Sequence, residues 1–163
     1  MSQRALWLSG GGAAAAYVAL IAVGQIMVTA EAAGLAPFDL RIGGYTEADA
    51  AIYLAALSEA GRAAYLGPVR VLDTIFPVLF ALFLALLSRA VWARGGWVLA
   101  AGLPALYLLF DLWENARVAA MVAEGDPSLA GVASALTQAK FAALGVFAVL
   151  LLWSGFWVWK RRG

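Results

Sequence analysis

Three carboxylates stand inside otherwise apolar stretches of this chain: Asp73, Asp111 and Glu114. A charge within a membrane span costs roughly 2.5–3.5 kcal/mol on insertion scales, so such residues turn inward, where they pair or do chemistry. Tyr107, Asp111, Glu114 and Asn115 are spaced i, i+4, i+7 and i+8, which puts them on one helical stripe. Arg70, Asp73 and Pro77 form a second stripe, and Ser134, Thr137 and Lys140 a third. Buried carboxylates of this kind act as general acids and bases, with Asp111, Glu114 and Asp73 as the catalytic candidates. Arg62, Arg70, Lys140 and Arg117 are the bases available to pair with them. The chain has no His and no Cys. Zinc, iron–sulfur and histidine-ligated haem sites therefore lack their usual ligands, and neither a metal nor a cofactor is expected. Ser9, Ser58 and Ser88 have no His to activate them.

The elements that must position these groups follow from composition. The 163 residues are 64% hydrophobic and 13% charged, far from the balance of a soluble domain. Transmembrane helices need roughly 17–25 mostly apolar residues. Such stretches lie at about residues 13–30, 71–88, 97–118 and 140–159. The expectation is an all-α fold, a four-transmembrane-helix bundle forming one integral membrane domain over residues 1–163. At 1.5 Å per residue, Asp111 stands about 21 Å above Trp97, Asp73 about 24 Å above Arg89, Gln25 about 27 Å above Trp7 and Lys140 about 28 Å above Trp159. Polar groups from all four helices thus reach one depth, in the outer third of a roughly 30 Å core. In the long first outer connection, Thr46-Glu47-Ala48-Asp49 starts like a capping box. It predicts a short amphipathic helix over residues 47–60, lying on the outer surface or capping the bundle. Pro77 is expected to kink the second span.

Charge order sets the orientation. With the N-terminus inside, the cytoplasmic segments hold Arg4, Arg89, Arg94, Lys160, Arg161 and Arg162 and no acid, while all ten acids fall in the outer half or the helices. Basic residues in short loops face the cytoplasm, so both termini are expected there. Trp7, Trp92, Trp97, Trp153, Trp157 and Trp159 gather at the same interface, and only Trp113 belongs to the outer half. The first apolar stretch is longer than a signal-peptide core and reads as a retained helix, despite Ala30-Glu31-Ala32. Small residues recur every four positions at Gly11, Ala15 and Ala19, and again at Gly131, Ala135, Ala139 and Ala143. Stripes of this kind let helices approach closely in lipid and offer faces to a membrane-protein partner or a second copy. Nothing points to nucleic acid.

Five short patterns add a resemblance. Gly44-Tyr45, Gly61-Arg62-x-x-Tyr65, Asp73-x-x-Phe76-Pro77, Asp111-x-x-Glu114-Asn115 and Ser134-x-x-Thr137-x-x-Lys140 together resemble an uncharacterised group of small bacterial four-helix membrane proteins. The likeness covers about residues 43–140. It implies a multi-pass protein of the bacterial inner (plasma) membrane and carries no activity with it. In architecture the chain is also similar to the EXPERA group of sterol isomerases and sterol-binding proteins, which arrange intramembrane acids around a lipid pocket. The His that the isomerases carry is absent here.

The functional expectation is a polar, acid-containing pocket in the outer leaflet half that binds a membrane lipid or a lipid-like molecule such as an isoprenoid, a sterol-like compound or a quinone. Asn115, Tyr107 and Arg62 would hold its polar head, with Tyr65, Arg70, Lys140, Thr137 and Gln25 in the same wall. Phe76, Phe80 and Trp113 would hold its apolar body. Asp111 or Glu114 would act as general acid or base in any conversion. The alternative is an accessory subunit of a larger membrane complex, its buried charges a helix-locking network. A small transporter ranks third, because residues 74–88 and 97–110 supply almost no polar route.

Overall fold

The computed structural model describes residues 3–92 and 96–160, which are mostly helical with no β-strand among them. Arg94, Arg161 and Arg162, expected to help set the topology, lie outside the described residues, as does the side chain of Trp159. The helices are α1 (Gln3–Gly24), α2 (Glu47–Ala56), α3 (Glu59–Ala64), α4 (Arg70–Val91), α5 (Gly96–Glu124) and α6 (Ala130–Lys160). Widened turns extend α1 over Gln25–Thr29 and join α3 to α4 over Tyr65–Val69. Four segments are long and apolar enough to cross a membrane: Gln3–Ala32, Glu59–Val91, Gly96–Glu124 and Pro127–Trp157. The chain is a multi-pass, all-α membrane protein. Each helical segment outruns its apolar stretch, because acids and small residues near a span's end interrupt hydropathy without breaking i→i−4 hydrogen bonds.

The start of α1 and the end of α6 lie at one end of the bundle, here the terminal end. The connection between α1 and α4 and the α5–α6 turn lie at the other, the cap end. The helix expected over 47–60 is two helices. Thr46 and Asp49 form the capping box that opens α2, with Asp49 N–H donating to Thr46 Oγ1 at 3.1 Å and Thr46 N–H to Asp49 Oδ2 at 2.8 Å. Leu57 then turns extended, and Ser58 caps α3 by accepting from Gly61 N–H at 3.0 Å. Ser58 N–H is drawn to Glu31 O at 2.9 Å, so the cap is stitched to the end of the first span. A Cβ on Gly61 would meet Glu31 Cβ at 2.7 Å, which is why the approach needs glycine. α2 covers the bundle, burying Ala50, Tyr53 and Leu54 in the cap-end core with Phe38 and Val122.

Gly67 leaves helical dihedrals (φ −100°, ψ −106°) one residue before Pro68, and α4 is continuous through Pro77. A further expectation is corrected. Gly11 and Ala15 are exposed; α1 buries Ser9, Ala13, Ala16 and Leu20 instead. On α6, Gly131 and Ala135 are likewise exposed, with Ala133, Leu136 and Ala143 buried. The bundle is an open series: α1 packs on α4, α4 on α5 and α5 on α6, while α1 and α6 are not packed together. At the terminal end, Arg89 lies over Trp97 at 5.3 Å and Lys160 over Trp157 at 5.3 Å, an aromatic and basic belt.

Candidate functional site

Stripe spacing on α5 and α6 brings one polar cluster together. Lys140 Nζ stands 2.8 Å from Asp111 Oδ1 and 2.6 Å from Glu114 Oε2. Thr137, one turn before Lys140, donates to Glu114 Oε1 at 2.5 Å. Glu114 and Thr137 are fully buried, and Asp111 and Lys140 nearly so. One ammonium shared by two carboxylates, with a hydroxyl on a remaining oxygen, is how a low-dielectric interior tolerates such charges. Ser134, a further turn toward the cap, accepts from Tyr45 N–H at 2.9 Å. This docks the Gly44-Tyr45 turn on α6. Gly44 sits at φ +87°, and a Cβ there would meet Gln138 Nε2 at 2.5 Å, so both conformation and space require glycine.

The second stripe meets the first through a proline. Pro77 has no N–H, so the carbonyl of Asp73, four residues earlier, loses its helical donor. Asn115 supplies the replacement, its Nδ2 donating to Asp73 O at 2.9 Å while also reaching Asp111 Oδ2 at 3.1 Å. Arg70 Nη1 in turn donates to Asn115 O at 2.9 Å. Arg62 Nη1 donates to Val122 O. Both arginines therefore satisfy carbonyls of α5, not the acids expected as their partners. Arg117 pairs with none of the acids either, and its Nε is buried without a hydrogen bond. Among the described residues, Lys140 is the base that pairs with intramembrane acids.

Between α1 and α6, over the floor made by α4 and α5, lies a cavity of about 700 Å³. Its walls are mostly apolar: Trp7, Phe83 and Leu144 toward the terminal end, then Tyr17, Phe80, Phe76 and Phe141. Tyr17 and Phe76 are 5.1 Å apart between ring centroids, Phe76 and Phe80 5.5 Å, and Phe80 meets Tyr107 edge-on at 5.7 Å. Polar groups gather toward the cap: Tyr107, Asp111, Lys140, Asp73 and Asp39. Asp39 reaches in from the Phe38–Leu40 turn. That turn is anchored by Phe38, fully buried, with ring centroids 4.8 Å from Tyr45 and 4.6 Å from Tyr53. Arg41 covers this aromatic box, 5.3 Å from the Phe38 ring and 5.2 Å from Tyr53. Asp39 also borders two small voids of about 30 and 10 Å³, the first beside Gln25 and Thr29 and the second beside Arg70, Asp73 and Asn115. The surface it leaves uncovered thus faces internal space. Burial raises its carboxyl above the ordinary aspartate range, opposed by the charge of Lys140 and a hydrogen bond from its own backbone. The same burial raises the Tyr45 and Tyr53 hydroxyls.

Neither sequence nor fold matches a family model, a curated protein or a solved structure.

The residues expected at the site divide by what they face. Asp73, Tyr107, Asp111, Lys140, Phe76 and Phe80 line the cavity. Glu114 and Thr137 lie behind it, sealed in the α5–α6 seam. Asn115, Arg70 and Tyr65 border the small void beside Asp39 and Asp73, and Gln25 the other. Arg62 and Trp113 do not line the cavity, and Trp113 is 48% exposed. Sequence reasoning missed Asp39, which lies in a loop outside every apolar stretch. The available signal was its position between an aromatic and an aliphatic residue, just after Pro37. Chemically, the cavity offers three carboxylates against one lysine that Asp111 and Glu114 already share. The Asp39 and Asp73 carboxylates form no ion pair and no hydrogen bond to another residue among those described.

Proposed function

We propose that this chain is an integral membrane protein that binds a lipid-like small molecule, with the apolar body between α1 and α6 and the polar head at the cap end. The observation that carries this reading is the polarity gradient of one cavity: aromatic and aliphatic along most of its length, acidic where Asp39, Asp73 and Asp111 meet. A volume of about 700 Å³ suits a ligand of that size class. Asp73 is the better acid–base group for any conversion, since it faces the cavity unpaired while Glu114 is sealed behind Lys140. The charge order and the resemblance support a bacterial inner membrane, with both termini cytoplasmic.

Extraction in mild detergent followed by native mass spectrometry tests the reading. The wild type is expected to carry a lipid-like adduct that Asp73→Asn loses while keeping its helicity and thermal unfolding. An adduct-free wild type from every lipid background would sink it. The accessory-subunit reading keeps one specific support, the small-residue face at Gly131 and Ala135 left exposed on α6. It predicts co-purification of a partner, or a second copy, that Ala135→Leu releases.

A further inference from the structure

Two features of the cavity concern the ligand's head and its route. Along its length the cavity is flanked by α1 and α6, which are not packed together. Its α1 wall is made in part of Gly11 and Ala14, both exposed, and a Cβ on Gly11 would meet nothing within 4 Å. The gap therefore faces the bilayer sideways. At the cap end, Tyr107 is 97% buried by its 3% exposure, lines the cavity, and has a hydroxyl with no hydrogen-bond partner among the described residues. Asp39 and Asp73 stand in the same wall with no base between them. Lys140 is committed to Asp111 and Glu114, and Arg70 to Asn115 O. Both carboxylates are half-buried, and an unpaired carboxylate facing an apolar cavity is costly until a proton or a cation meets it.

We infer that the ligand is a cationic amphiphile, a single apolar chain bearing an ammonium head, which slides in from the bilayer between α1 and α6 and sets that head between Asp39 and Asp73. This rests on the binding reading above and adds its head-group chemistry. The ammonium donates to the two carboxylates and to Tyr107 Oη, which completes the hydrogen bonding of all three groups. A carboxylate head would meet three acids, and a neutral head would leave the acids without a counter-charge.

Three probes with one dodecyl chain separate the possibilities: dodecylamine, N-dodecylacetamide and dodecanoate, bound to the full chain in phosphatidylcholine nanodiscs and read by native mass spectrometry. Dodecylamine is expected to bind about tenfold or more tightly than the acetamide, the ratio that charge-assisted hydrogen bonds supply, with dodecanoate weakest. In Asp39→Asn/Asp73→Asn that ratio falls to about one. Equal binding of amine and acetamide to the wild type, a preference for dodecanoate, or an amine preference that survives the double change would each overturn the inference while leaving the pocket standing. Gly11→Leu/Ala14→Leu, which fills the gap, is expected to lose all three probes. If no probe binds, or if the filled variant binds as the wild type does, the pocket itself fails and this inference with it. The wild-type comparison is decisive even where the double variant does not fold.

Discussion

At the scale of single residues, the intramembrane charges have separate jobs. Lys140 holds Asp111, at the cavity wall, and Glu114, sealed behind it, so Lys140→Met leaves two buried carboxylates without a counter-charge. We expect a loss of about 3–5 kcal/mol, read as a fall in the thermal midpoint of the detergent-solubilised protein. Asp73→Asn removes a carboxylate with no partner and is expected to be neutral or stabilising at neutral pH by the same assay. If Asp73→Asn proves as damaging as Lys140→Met, the division between seam and cavity is wrong. Asn115 acts as a surrogate backbone donor. Removing it by Asn115→Ala should cost about 1–3 kcal/mol, because a buried carbonyl loses its partner. In a Pro77→Ala background the residue 77 N–H can serve Asp73 O, so the same change should cost measurably less. A double-mutant cycle that closes with no coupling would dismiss this account.

Elements explain why those residues sit where they do. α5 and α6 present stripes at helical spacing, and the sequence alone predicts which side chains share a face. The cap follows a different logic, with short helices started by side-chain caps and stitched to the bundle by Glu31, Ser58 and Ser134. Thr46→Ala should destabilise the cap by about 1 kcal/mol, seen as faster amide exchange over residues 47–52. Hydrogen bonds from the Thr46 backbone and hydroxyl hold the exposed Asp49 carboxyl below its ordinary value. A depressed acid contributes stability that is complete above the unfolded pKa and lost as pH falls through the folded one. Exchange protection of α2, corrected for intrinsic rate, should therefore decline as pH drops below about 4 and be flat in Asp49→Asn. A slope that persists in Asp49→Asn would assign the effect elsewhere.

For the whole molecule, the decisive fact is an open ring of helices. α1 has α4 on one side and the cavity on the other, and adjacent glycines report the difference. Both border the cavity, but a Cβ at Gly10 would come to 3.0 Å from the Phe83 ring of α4, whereas one at Gly11 would meet nothing within 4 Å. Gly10→Leu is expected to push α1 from α4 at a cost of about 1–3 kcal/mol, while Gly11→Leu should stay within about 0.5 kcal/mol of wild type. Thermal unfolding of the two variants checks this, and equal effects would mean that α1 closes on α6 in the membrane. The cap sets the other end of the cavity. Phe38→Ala, which removes the anchor of the Asp39 turn, should cost about 3–5 kcal/mol and weaken ligand retention.

Sequence by itself determined the all-α class, the four spans and the stripe-mates Asp111, Glu114, Asn115, Thr137 and Lys140, because hydropathy and 3.6-residue periodicity are local properties. It also determined the capping box at Thr46 and Asp49, whose partners are three residues apart. Tertiary structure alone decided the pairing. Whether Arg62, Arg70, Arg117 or Lys140 meets an acid depends on how helices rotate against one another, and the Val122 and Asn115 carbonyls of α5 took Arg62 and Arg70 instead. Asp39 became a cavity residue only through the fold of the aromatic box around Phe38, assembled from residues 38, 45 and 53 and invisible to any periodicity. The cavity itself exists because α1 and α6 do not close. That is a property of how the helices are arranged around one another, and no single helix records it.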